Sequence, residues 1–212
     1  MGKLLVERYK EEVEMLKTQK FKDFYVKMLE ECMDTNAENA PASSSGKYHP
    51  ICSLGPNGLY RHTKLVAVLA ERMIQCIPDF DPDEEHDIIV VSALLHDMCK
   101  YNIEWHTQQD HPIAMASKVR DWYTKNVEGE EEQLKFERVA KCIETHMSRW
   151  NEIKDYATKK VLSTMPTPES LEQYIICFAD MVAAMPKLPE LLHEMKDEAV
   201  DEICRSSNKG KK

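Results

Sequence analysis

Residues 88–100, IIVVSALLHDMCK, constrain this chain more than any other stretch. An apolar run of helical length ends abruptly in His96 and Asp97, with Lys100 one turn further on. An imidazole and a carboxylate side by side at the end of a buried element are costly to bury unpaired. A metal ion would turn both into ligands, one nitrogen and one oxygen. The remaining ligands would then have to come from elsewhere in the chain.

The surrounding sequence reads as all-α. Ala, Leu, Met, Glu and Lys abound, while alternating Val, Ile and Thr are scarce. At 212 residues, a single domain with a substantial core is expected. Residues 1–33 read as an N-terminal helical extension packed on the core, broken near residues 18–20. Its stripes are Leu5, Val13 and Leu16, then Phe21, Phe24, Tyr25, Met28, Leu29 and Cys32. Residues 34–58 form the long irregular stretch, and such a loop is more often a lid or binding loop than filler. Helices are expected over 59–77, from Pro82 to Lys100, from His111-Pro112, over 134–150, from Pro168 and over 189–204. Trp105 and His106 fall in a polar loop, and residues 205–212 read as a disordered tail.

Six residues stand out against these helices. His62 lies on the stripe of Leu59, Val66, Leu69, Ala70 and Met73, and His146 shares a face with Val139, Ile143 and Trp150. His96 shares one with Ile89, Ala93 and Lys100, and His111 sits at a helix mouth. Asp180 interrupts the apolar segment YIICFADMVAAM, and its neighbours one turn away are Ile176, Cys177, Ala183 and Ala184. Its partner must therefore come from another element. Taken singly, a histidine on an apolar stripe is usually a hydrogen-bonded core residue. Together, His62, His96, Asp97, His111, His146 and Asp180 are six metal-ligand types from five segments, which is how helical bundles build core metal sites. Nitrogen and oxygen donors without thiolate suit Fe, Mn, Ni, Zn or Mg. The seven cysteines contain no CxxC pair and read as reduced core residues.

The runs RHTK, LLHDMCK and FADMVAA resemble the HD-domain superfamily of metal-dependent phosphohydrolases. Its core signature is matched by His62, His96, Asp97 and Asp180, over about residues 59–184. The commoner HDxGK form of the family has Gly where this chain has Cys99. The HP at 111–112 and the ETH at 144–146 match the extra histidines of the six-ligand, binuclear subgroup. Carried over, that resemblance implies one divalent ion on His62, His96, Asp97 and Asp180, and a second on Asp97, His111 and His146. Asp97 would bridge them. Symmetrical diadenosine tetraphosphate hydrolases look like this. Separately, PASSSGKYHPICSLGPNGLYRHT is similar to the PAA…HH…GGLLEHT pattern of HD-type 3′-to-5′ exoribonucleases. The implied fold is a compact helical HD-domain bundle over residues 59–204.

The implied activity is hydrolysis of a phosphate ester or anhydride of a nucleotide-type substrate by a metal-activated water. Two ions about 3.5–4 Å apart lower the pKa of a bridging water and clamp phosphoryl oxygens. Asp97 and Lys100 are the expected catalytic groups; Lys47, His49, Arg61, Lys100 and Arg149 are the candidate substrate contacts. The expected partner is a small nucleotide or phosphate ester, with a nucleic-acid 3′ end as a further candidate. The formal charge of −9 means that the overall field does not steer the chain to nucleic acid. The same six ligands also occur in HD-type mixed-valent di-iron oxygenases, and Lys47 and Lys100 favour hydrolysis over that alternative. A non-catalytic nucleotide-binding HD domain would usually have lost ligands, whereas all six positions are filled. No apolar run approaches membrane-spanning length and the N-terminus is too charged for a signal peptide, so a reducing cytoplasm is expected.

Overall fold

In the computed structural model of the chain, residues 7, 9–32, 39–43, 46–78, 80–102, 107–188 and 202 are described. Residues 86–95 are buried without exception. They make up most of the helix Glu84–Leu95, and a helix apolar on every side belongs inside a bundle. Glu84, Glu85 and Asp87 in its first turn suit the positive end of the helix dipole.

Seven α-helices are present among the described residues: α1 Lys10–Met15, α2 Gln19–Glu31, α3 Gly58–Ile74, α4 Glu84–Leu95, α5 His111–Asn126, α6 Glu130–Thr145 and α7 Leu171–Ala183. Helices α2, α3, α6 and α7 all pack against α4, and α5 packs on α6. The fold is therefore all-α, with one small addition. Strands β1 Glu152–Lys154 and β2 Val161–Thr164 pair antiparallel between α6 and α7, with a bulge at Ile153 and Lys154. Their side chains are mostly exposed, so no apolar alternation marks them in the sequence. No helix among the described residues is long and apolar enough to cross a membrane.

The break between α1 and α2 falls at residues 16–18, slightly ahead of its expected place. Asp87 of α4 explains it. Its Oδ1 accepts from the Lys17 amide (2.8 Å), and its Oδ2 from the amide and hydroxyl of Thr18 (2.7 Å each). A carboxylate from another helix thus satisfies the amides where α2 opens. Behind this corner, the Phe24 ring lies 4.9 Å from Trp122 and 5.0 Å from Phe136, centroid to centroid. Residues 10–31 therefore share one core with α5 and α6.

Several helix ends differ from the sequence expectation. Helix α3 stops at Ile74 and α6 at Thr145, short of residues 77 and 150. Trp150 therefore lies exposed in a separate 3-10 turn and does not continue the face of His146. Helix α4 stops at Leu95, so Lys100 does not continue its face; residues 96–99 form a turn, with Met98 N on the Leu95 carbonyl and Lys100 N on the Asp97 carbonyl. In a continuing helix, adjacent side chains diverge by about 100°, and His96 and Asp97 would not converge. Helix α6 starts at Glu130, ahead of the expected residue 134, because the carboxylates of Glu130, Glu131 and Glu132 favour a helix N-terminus. Helix α7 begins after Ser170, which forms a capping box with Gln173, and not at Pro168. Apart from Glu202, the helix expected over 189–204 lies outside the described residues, as do Trp105, His106 and the tail from 205.

The loop before α3 is tied down where it is described. Ala42 N donates to the Ser53 carbonyl and Leu59 N to the Ala40 carbonyl, each at 2.9 Å. A Cβ on Gly58 would stand 2.7 Å from the Ser53 carbonyl carbon and 3.2 Å from Pro41 Cα. Only glycine allows the loop backbone to cross the start of α3 this closely.

Candidate metal centre

Five segments deliver polar side chains to one buried point. His62 comes from the second turn of α3, His96 caps α4, Asp97 follows in the turn, and His111 opens α5. His146 caps α6 and Asp180 comes from α7. The four imidazoles and Asp97 are buried, and Asp180 is largely so.

Three of the imidazoles are oriented by the same device. Nδ1 of His96 donates to the Ala93 carbonyl, Nδ1 of His111 to that of Gln108, and Nδ1 of His146 to that of Ile143, each at 2.7 Å. In every case the acceptor lies three residues back. The hydrogen on Nδ1 is assigned from the carbonyl it faces, and it leaves the Nε2 lone pair pointing inward. Such a carbonyl behind each ring is the usual support of a metal-binding histidine.

What the lone pairs meet is each other. Nε2 of His96, His111 and His146, and Oδ1 of Asp97, are buried without a hydrogen-bond partner. His111 Nε2 lies 2.9 Å and His146 Nε2 3.5 Å from Asp97 Oδ1, yet neither contact has hydrogen-bond direction. Around them, His62 Nε2 lies 2.9 Å from Asp180 Oδ1, which supplies the partner Asp180 lacks on its own helix. Lys100 Nζ donates to Asp97 Oδ2 at 2.5 Å. Buried polar atoms without partners are rare and costly, and a cation between the lone pairs removes the cost.

The electrostatics point the same way. Burial pushes the His96 pKa down to about 3, and burial likewise lowers that of His111. Burial would raise Asp97, but Lys100 and His96, followed by contacts with His111 and His146, hold it well below the ordinary carboxylate value. Asp180 is held low against burial by His62 and the neighbouring imidazoles. Burial opposes the charged form of His146 and Lys100 too, but Asp97 raises both. Neutral His96 and His111 beside ionised carboxylates are the protonation states that metal ligation needs, and His146, raised by Asp97, would release its proton on binding an ion.

Three triples bring their donor atoms within 4.8 Å of one another: His62, His96 and Asp97; Asp97, His111 and His146; and His96, His146 and Asp180. The first falls inside the set that the resemblance implies for one ion, and the second coincides with the set for the other. The third runs across them. His49 joins the rim, its ring 4.9 Å from that of His62, with burial lowering its pKa to about 4. The remaining candidate contacts stand further out. Lys47 is exposed over the Tyr48 ring, and exposed Arg149 lies over Trp150. Arg61 is turned to the loop, donating to the carbonyls of Cys52 (2.5 Å), Leu54 and Pro56 (3.1 Å each).

A family model, the HD domain, matches residues 59–185. The chain belongs to the HD-domain family. No curated protein and no solved structure matches it. The HD-domain match covers all six central residues and excludes α1 and α2, which nevertheless complete the core. Membership carries a metal-dependent phosphohydrolase type of chemistry in its broad form, and the buried His and Asp groups could hold divalent metal. The Ala93, Gln108 and Ile143 carbonyls are not legible in the sequence. Backbone groups leave no residue-type signal; the only hint is that each of these histidines stands at a helix end.

Proposed function

We propose that this HD domain hydrolyses a phosphate ester or anhydride of a nucleotide-type substrate, using two divalent ions. The observation that carries the reading is the set of inward, partnerless atoms: Nε2 of His96, His111 and His146 with Oδ1 of Asp97. One ion would rest on His62, His96, Asp97 and Asp180, the other on Asp97, His111 and His146. Bound divalent metal supplies an activated water and a clamp on the phosphoryl oxygens.

The chain's own residues set the rest. Asp97 belongs to both groups and stays ionised, so its carboxylate can be shared. Two carboxylates facing two divalent ions and Lys100 leave an excess of positive charge in a chain of net charge −9. That excess selects an anionic substrate. Lys100, held against Asp97, is placed to neutralise charge developing on a phosphoryl oxygen. His49 offers a contact at the rim, and Arg61 holds the loop that carries it. Lys47 and Arg149 are outer contacts for a longer substrate.

The test is to purify the protein, measure bound metals, and assay nucleotides, dinucleoside polyphosphates and oligonucleotides with each metal restored. Metal-dependent release of phosphate or nucleotide without oxygen consumption supports the reading. An oxygen requirement with a mixed-valent iron signal would replace it with the oxygenase reading. Should His96→Ala and Asp97→Ala keep both metal and activity, the site assignment is wrong.

A further inference from the structure

Beside the imidazole–carboxylate centre, three sulfur atoms meet in the core. Cys32 ends α2, Cys99 lies in the turn after α4, and Met115 lies in α5. Cys32 Sγ is 3.6 Å and Cys99 Sγ 3.7 Å from Met115 Sδ. The two cysteines are 5% and 6% exposed and the methionine fully buried. None of the described cysteines is in a disulfide.

We propose that Cys32, Cys99 and Met115 form a binding site for a soft monovalent metal ion, copper(I). Two thiolates and a thioether are the donors that favour copper(I), whereas the neighbouring imidazoles and carboxylates suit harder ions. The spacing fits. Metal–sulfur bonds of about 2.3 Å in a trigonal site place the sulfurs about 4 Å apart, close to the two distances seen. The donors come from three separate elements, so the ion would tie the end of α2 to the turn carrying Asp97 and to α5. On binding, one copper(I) ion enters and the two thiol protons leave to solvent; the oxidation state does not change and no other reactant is needed. The site does not depend on the hydrolase reading.

Reduced, metal-stripped protein titrated anaerobically with copper(I) against a chromophoric chelator tests this. A single ion should be retained, and X-ray absorption of the wild-type complex should show sulfur donors without nitrogen. Cys32→Ser and Met115→Leu should each weaken retention by at least the roughly 10–100-fold that losing an outer partner costs a metal site. The exposed thiol of Cys76 serves as the control, and Cys76→Ser should retain copper(I) as wild type does. Nitrogen or oxygen donors in the wild-type spectrum overturn the proposal. So does a wild-type protein that yields copper to the chelator as readily as Cys32→Ser.

Discussion

At the scale of single residues, the site depends on how each imidazole is turned. A carbonyl three residues behind His96, His111 and His146 occupies Nδ1 and so aims Nε2 at Asp97. Residue type made these histidines legible as candidates, because a run of helices with one inward His or Asp each is hard to explain otherwise. The orientation was not legible, because the acceptors are backbone groups. Lys100 is the residue whose role separates most cleanly from ligation. Lys100→Ala should keep its metal while kcat falls by about 10²–10³-fold, the usual cost of removing one group that stabilises developing charge. Metal analysis alongside kinetics decides the matter: loss of metal together with activity would make Lys100 a structural partner of Asp97.

Single elements show how the site is framed. Gly58 lets the loop cross the start of α3 one turn before His62. Gly58→Ala should destabilise the protein by about 1–3 kcal/mol, the range for overpacking a tight contact, measured by urea unfolding. At the other end of α4, Asp87 holds the α1–α2 corner and also meets His86, whose other nitrogen faces Glu71, each contact at 3.1 Å. Burial works against both charges, but His86 with the Lys17 and Thr18 groups lowers Asp87, while Asp87 and Glu71 raise His86. A raised histidine stabilises below its unfolded pKa of about 6.5 and loses this as pH rises through its folded value. A lowered aspartate stabilises above about 3.9 and loses this as pH falls through its folded value. The stability gap between wild type and His86→Gln should therefore shrink from pH 6 to pH 9. For Asp87→Asn the gap should shrink below pH 4. Unfolding titrations across that range give both, and a gap constant with pH would contradict the pairing.

Across the whole molecule, two couplings matter. Phe24 anchors α2 against Trp122 and Phe136, so the helices before residue 33 belong to the same core as the matched domain. Phe24→Ala should cost about 3–5 kcal/mol, as truncating a buried aromatic does, read from the denaturation midpoint. The centre joins α3, α4, α5, α6 and α7, so a bound ion stabilises the fold by mass action. Stripping metal with a chelator should lower Tm, and restoring it should raise Tm with metal concentration. Asp97→Ala should show no such rise, which differential scanning calorimetry can measure.

The sequence by itself determined the helical class, the outward course of the chain and the six side chains around the centre. These rest on period and residue chemistry, which are local. Tertiary structure decided where α1 gives way to α2, because that corner answers to Asp87, a carboxylate on a helix far along the chain. It decided that Arg61 serves the loop, since its acceptors are carbonyls that only folding brings near. It also turned His96 and Asp97 toward one point. A buried lone pair is costly only once its neighbours are in place, and no local pattern records where those neighbours will be.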